Sequence, residues 1–251
     1  GFRVGGAGRD MVLGAGPRLD EVAPGINGTA FHVIARAGRV GASVVDEQRS
    51  GLDAIGTDWI PAAADPATNV YLPGILAGDG ARVLSVVSTS DSDAIVDIRV
   101  LAQDGSYQPF DRGSVTVPAG AVTTLDMTPA LPPSPNGILP AALQLTSDQP
   151  IVVGMRQFFG GRNVQKEASF TAGAQPFAGP SAVRGLPVRS ATDVKLQISA
   201  PATSVVQGPV AGRADARPLA RARPRQPFLQ LRASVSHACY RAQQQQFSPH
   251  F

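Results

Sequence analysis

Turn residues follow almost every strand-length apolar run in this chain, and this punctuation leaves little room for long helices. Between residues 69 and 157, β-branched runs such as 82–88 and 94–101 are bounded by Asp, Gly, Ser and Pro. In the second run, Val96, Ile98 and Val100 alternate with largely polar residues, as a half-buried antiparallel strand requires. Short strands with a turn about every ten residues are typical of a β-sandwich. The sequence therefore predicts an all-β fold.

Turn chemistry indicates where neighbouring strands meet. Asp104 and Gly105 directly follow a predicted strand and form a strong hairpin signal, because glycine tolerates positive φ and aspartate tolerates the left-handed region. Segment 129–140 contains five prolines and predicts a loop or an extended connection. Residues 148–150, Asp-Gln-Pro, predict a turn between two further strands.

The pattern divides the chain into four segments. Segment 1–66 is interpreted as the end of a preceding β domain, and segment 67–178 as one complete antiparallel sandwich. Segment 179–206 repeats the strand-turn pattern and predicts the start of a further β unit, whereas 207–251 is rich in Arg, Gln and Pro. The expected architecture is therefore a tandem series of Ig-like β-sandwich domains, one complete and flanked by partial ones, with an irregular C-terminal tail.

The basic character of the chain lies in this tail. Residues 213–251 contain seven arginines and one acid, Asp215, whereas the formal net charge of the whole chain is +3. Residues 1–212 therefore carry a formal charge of −3, and we expect no nucleic-acid partner for them. Three interpretations of the tail stay open: a disordered terminus, an out-of-frame segment, and an electrostatic arm for polyanions.

Cysteine content and hydropathy place few limits on location. The single cysteine, Cys239, excludes an intrachain disulfide. No run of about eighteen apolar residues is present, and the first residues do not form a charged-then-apolar leader. We therefore expect membrane anchoring only through a segment missing before Gly1.

No group of residues predicts a catalytic site, a metal site or a cofactor. Asp91 and Asp93 are more typical of a polar turn than of a calcium loop, which needs about six oxygen ligands. His32 has no nucleophile-elbow motif near it. Asp46 and Glu47 could act as paired carboxylates only at a suitable separation in space, and a solvated loop is favoured. We expect neither enzymatic activity nor a cofactor.

Three aromatic residues form a candidate ligand platform: Trp59, Tyr71 and Tyr107. Aromatic side chains of this kind can stack against sugar, since they combine an apolar face with a polar handle. Trp59 and Tyr71 lie on predicted strands, where aromatic residues more often belong to the core.

Five strand and turn motifs occur together in a characteristic order. They are YLPG at 71–74, RVLSV at 82–86, VDIRVL at 96–101, VTVPAG at 115–120 and TSDQPIVV at 146–153. The combination resembles an actinobacterial cell-envelope family of unknown function, built from tandem β-sandwich units behind a membrane anchor or export signal. The resemblance covers about residues 41–206 and supplies no catalytic residue.

The resemblance implies a non-enzymatic, extracytoplasmic structural or interaction module of the cell envelope, or a secreted one. Its partner would be an unknown envelope protein or a glycan. The alternative is a carbohydrate-binding or enzyme-accessory module that uses the three aromatic residues. A third hypothesis is polyanion binding through the arginine-rich tail.

Overall fold

The chain folds into strands joined by turns. The computed structural model describes residues 2–4, 7–9, 30, 32–34, 37–39, 41–50, 52–160, 167–179, 193–200 and 228–234. Its strands are β1 (Phe2–Val4), β2 (Ala7–Arg9), β3 (His32–Val33), β4 (Val44–Ser50), β5 (Asp53–Ile60), β6 (Ala67–Ile75), β7 (Arg82–Ser88), β8 (Ala94–Ala102), β9 (Gly105–Tyr107), β10 (Ser114–Val117), β11 (Val122–Asp126), β12 (Pro133–Ser134), β13 (Gly137–Ile138), β14 (Ala141–Phe159), β15 (Glu167–Ala172), β16 (Asp193–Ser199) and β17 (Phe228–Ser234). The only helix within these ranges is a 3-10 turn at Thr128–Ala130. The all-β prediction is confirmed.

The chain forms two compact units. The first comprises residues 1–100 and 108–175, and the second comprises residues 101–107 and 176–251. The β4–β5 hairpin, which lies in the segment interpreted as the end of a preceding domain, belongs to the first unit together with the central sheet.

The first unit is built on a curled antiparallel sheet. Its strands follow the order β10-β8-β14-β7-β11, and β6 and β15 also pair with β14. β14 is 19 residues long and organises the sheet, because its first half pairs with β6 and its second half pairs with β7 and β15. A strand that changes partners along its length must bend, and this bend curls the sheet.

The turn predicted at residues 148–150 is wrong, because β14 continues through them. The pairing with β6 shifts register between Thr146 and Ile151, and Pro150 has no N–H to donate. Two other contacts hold this stretch: the Asp148 carboxylate accepts from the Ile95 N–H of β8 at 2.8 Å, and the Pro150 carbonyl accepts from the N–H of Thr89, directly after β7, at 3.3 Å. The polar triplet is an irregularity within one strand rather than a chain reversal.

Alternation along β8 places the core on one side of the sheet. Ala94, Val96, Ile98 and Val100 are fully buried, whereas Ile95 is 57% exposed between them. Alternate residues of a strand point to opposite faces, so the sequence pattern alone separates core from surface. The core continues onto the neighbouring strands with Leu84, Val86, Leu143, Leu145, Ile151 and Val153.

Two isoleucines of β8 test this arrangement with the same chemical change. Ile98→Val removes a fully buried methyl group and should lower the free energy of unfolding by about 0.5–1.5 kcal/mol. Ile95→Val removes a methyl group from the exposed face and should change it by less than about 0.5 kcal/mol. Chemical denaturation at equal m-value measures both, and equal losses for the two variants would contradict the assigned faces.

Within the described residues, the second unit contains two short pairings. Residues 101–107 comprise the end of β8 and the whole of β9, which pair as the hairpin predicted from Asp104 and Gly105. Gly105 adopts φ 152°. β16 pairs with β17 in antiparallel register from Asp193↔Ser234 to Ser199↔Phe228. The expected irregular tail therefore includes one strand, and its residues 207–227 and 235–251 lie outside the described residues. None of the described residues belongs to a helix that is long and apolar enough to cross a membrane.

Candidate functional site

The β4–β5 hairpin has two clearly different faces. Val45, Glu47 and Arg49 of β4 are exposed, whereas Val44 and Asp46 between them are half-buried. β5 repeats this alternation, with Thr57 and Trp59 exposed and Gly56, Asp58 and Ile60 half-buried. We call the five exposed residues, Val45, Glu47, Arg49, Thr57 and Trp59, the outer strip.

The inner face of the hairpin is held against β15. The Asp58 carboxylate accepts a hydrogen bond from the Phe170 N–H at 3.2 Å through Oδ2, and another from the Trp59 N–H at 2.8 Å through Oδ1. A side chain at position 56 would bring its Cβ within 3.0 Å of the Ala168 backbone nitrogen, so glycine permits the close approach of β5 to β15. These contacts fix which face of the hairpin meets solvent.

The outer strip places an apolar pair beside polar side chains. Val45 and Trp59 are cross-strand partners, 44% and 63% exposed. Glu47 faces Thr57 at the next level of the strip, and the Arg49 guanidinium donates to the Glu47 carboxylate at 3.4 Å. The expectation that Trp59 is a core residue is wrong, because Trp59 and Thr57 lie on the exposed face of β5 while Asp58 on the other face contacts β15.

Adjacent carboxylates on β4 do not form a catalytic pair. Asp46 lies on the inner face and Glu47 on the outer face, since neighbouring strand residues point to opposite sides. Glycosidase chemistry needs two carboxyl groups across one bond, and these two do not share a surface.

Tyr71 on β6 is held by hydrogen bonds from both its side chain and its backbone. Its phenol oxygen accepts from the Gln144 side-chain amide at 3.0 Å and from the Asn69 amide at 3.4 Å. Its backbone exchanges two hydrogen bonds with Ala174, at 3.1 and 2.7 Å, which cover the otherwise open edge of β6. A half-buried phenol with these partners braces the sheet edge and does not present its ring as an open stacking surface.

Tyr107 ends β9 in the second unit, whereas Trp59 and Tyr71 lie in the first. It is 39% exposed, and partial burial raises the pKa of its phenol above the usual value. The three aromatic residues predicted as one ligand platform therefore lie in three different settings, and only Trp59 lies on the outer strip.

The acidic turn also has a structural role. The Asp93 carboxylate accepts from the Ala119 N–H at 2.9 Å, which ties the β7–β8 turn to the turn before β11. Within the described residues, no group of three or more His, Cys, Asp or Glu side chains could hold a metal ion. His32 is a strand residue of β3, paired with Arg3.

The arrangement that sequence reasoning missed is a buried cation at the start of β7. Arg82 is fully buried, and its guanidinium donates to backbone carbonyls of Leu76 at 3.0 Å, Asp79 at 3.0 Å and Phe158 at 2.7 Å. The Phe159 ring lies 4.5 Å from its central carbon. Burial lowers the pKa of this guanidinium, and nearby Asp79 partly opposes that effect. The sequence feature that could have indicated this burial is the strand alternation, since Arg82 falls on the same face of β7 as the buried Leu84 and Val86.

Comparison with known proteins gives one family. The model of a family of unknown function, DUF5719, matches residues 16–218. The chain belongs to this family. The DUF5719 match includes the β4–β5 hairpin, the whole curled sheet and β16, and it extends into the tail as far as residue 218.

Two solved structures are similar to parts of this DUF5719 member. Thermotoga maritima 1070 is 18% identical over 45% of this chain and 97% of its own, with a TM-score of 0.35. The Anabaena sensory rhodopsin transducer is 24% identical over 37% of this chain and 97% of its own, with a TM-score of 0.28. No curated protein matches the chain.

Proposed function

We propose that this chain is a non-enzymatic structural or interaction module that works outside the cytoplasm, in the cell envelope or in secreted form. The observation that carries the proposal is the outer strip, where an indole and a valine lie side by side in solvent on a hairpin anchored by its other face. Aromatic side chains supported by a rigid scaffold are frequent anchors of binding surfaces. The partner is a protein or a glycan of the envelope.

The finer architecture is part of the same proposal. The five motifs between residues 71 and 153 resemble those of tandem Ig-like sandwich units of actinobacterial envelope proteins. Support comes from the alternation along β7 and β8, where buried residues alternate with half-buried ones in β7 and with exposed ones in β8, as in a sandwich strand.

Photo-cross-linking in the cells that make the protein tests this function. A benzophenone amino acid in place of Val45 should give covalent adducts in irradiated envelopes, and cell fractionation should place the protein outside the cytoplasm. The matched control carries the same probe in place of Ile95, an exposed residue of the curled sheet, and should give few adducts. Recovery in the cytoplasmic fraction, or equal adducts at the two positions, would contradict the proposal.

A carbohydrate-binding or enzyme-accessory module is the second candidate. The exposure of Trp59 favours it, because a solvent-facing indole offers a flat apolar surface. Of the three aromatic residues of the predicted platform, only Trp59 supports this role. Polyanion binding through the arginine-rich tail stays a prediction, since most of that tail lies outside the described residues.

A further inference from the structure

The side chains of the outer strip change from apolar to polar along the hairpin. The pair Val45 and Trp59 forms its apolar end, the pair Glu47 and Thr57 forms the next level, and Arg49 follows. Residues two apart on one strand lie about 7 Å apart, so the strip presents its side chains at successive levels along the hairpin. A ligand lying along the strip would meet an aromatic ring first and hydrogen-bonding groups next.

The charges of the strip cancel. Glu47 and Arg49 contribute one negative and one positive charge, and the Arg49 Nη2 lies 3.4 Å from the Glu47 Oε2. A surface with paired charges does not attract polyanions or polycations over a distance. The charge pattern therefore favours a neutral ligand over nucleic acid or an anionic membrane.

The apolar end is also small. It consists of one indole and one valine side chain, whereas stable protein interfaces bury about 800 Å² on each partner around an apolar centre. A sugar ring fits these dimensions, because its C–H groups can lie against the electron-rich face of an indole. Its hydroxyl groups can pair with a carboxylate, a guanidinium and a threonine hydroxyl, which provide acceptors and donors together.

We infer that the outer strip binds a neutral oligosaccharide, with one sugar ring stacked on Trp59 and the next contacting Glu47, Thr57 and Arg49. This inference rests on the proposed interaction function and names the chemical class of its partner. The hairpin anchor through Asp58 holds the stacking surface in place before the ligand arrives, which reduces the entropy lost on binding.

The single tryptophan of the chain makes the test specific. Cellohexaose and chitohexaose, two neutral β-linked probes, are titrated while the fluorescence of Trp59 is recorded. We expect a saturable change with at least one probe, little affected by added salt because no net charge is neutralised. Absence of a response to both probes would overturn the inference.

Variants followed by calorimetry separate the site from the rest of the chain. Trp59→Ala should weaken binding at least about thirtyfold, as expected for the central aromatic anchor, and Trp59→Phe should lose less because a ring remains. Phe110→Ala is the matched control, since Phe110 is a fully exposed aromatic residue in the turn between β9 and β10. Equal binding by Trp59→Ala and wild type would refute the stacking role.

The inference and the proposed function can fail separately. If neither oligosaccharide binds while a probe at position 45 cross-links to an envelope protein, the carbohydrate inference is wrong and the interaction function stands. If oligosaccharide binds but the protein is recovered in the cytoplasm, the inference stands and the envelope role is wrong.

Discussion

Replacing Arg82 by methionine is expected to lower the free energy of unfolding by about 3–5 kcal/mol. The guanidinium is the donor for carbonyl groups of the β6–β7 loop, including those of Leu76, Gly80 and Asp79. A methionine fills much of the space but provides no donor, so these hydrogen bonds are lost together. Each hydrogen bond from a charged donor contributes about 1.5–3 kcal/mol, so the loss exceeds that of an ordinary core substitution.

The charge of Arg82 is compensated in an unusual way, which explains why the loss should be large. Its hydrogen-bond acceptors are peptide carbonyls rather than a carboxylate, and the Phe159 ring adds a cation–π contact at 4.5 Å. Its Nε has no hydrogen-bond partner. The side chain thus ties the β6–β7 loop to the end of β14, where Phe158 provides a further carbonyl at 2.7 Å.

Arg156→Met provides the matched control. Arg156 is exposed on β14 and also lies over an aromatic ring, that of Phe158, at 4.5 Å. An exposed cation–π contact is worth about 0.5–1 kcal/mol, so this variant should lose no more than about 1 kcal/mol. Chemical denaturation of the two variants gives the comparison, and similar losses would show that the carbonyl contacts of Arg82 contribute little.

Gly80→Ala is expected to lower the free energy of unfolding by at least about 3 kcal/mol. Gly80 adopts φ +85°, and a Cβ there would lie 2.2 Å from the backbone oxygen of Phe158. The contact is with backbone, which cannot rotate away as a side chain could. Alanine would therefore push apart the loop and the strand that Arg82 joins.

Gly120→Ala separates the clash from the backbone strain. Gly120 adopts φ +60°, and a Cβ there would meet nothing within 4 Å. The cost should be only that of the left-handed conformation, about 1–2 kcal/mol. Thermal or chemical unfolding of both variants measures the difference, and equal losses would show that the β6–β7 loop has room to relax.

Strand alternation made the curled sheet predictable because burial on one face leaves a period of two in the sequence. β7 and β8 follow that period, and both were predicted within a residue or two of their observed ends. Residues 148–150 of β14 were wrongly predicted as a turn. Asp and Pro beside a polar residue are typical of a turn, but the same residues also occur where a strand only shifts register. β17 was missed because its alternating Leu229, Leu231 and Ala233 lie in an Arg-rich and Pro-rich composition.

The site was predictable only in part. Trp59 could be chosen from the sequence as a candidate binding residue, but its exposure depends on which face of the β4–β5 hairpin β15 covers. That contact joins Asp58 to Phe170, which are 112 residues apart, and no local pattern reports it. Arg82 was overlooked for a related reason: its phase with buried neighbours was visible, but the carbonyl groups that accept its hydrogen bonds come together only in the folded loop.

Radical oxidation of Trp59, followed by mass spectrometry, tests whether an envelope partner covers the outer strip. The indole is 63% exposed in the isolated chain, and Phe110 serves as an internal reference because it is fully exposed. We expect Trp59 to oxidise several-fold more slowly in intact envelopes than in the purified chain, and Phe110 to oxidise at the same rate in both. Equal oxidation of Trp59 in the two preparations would contradict this expectation.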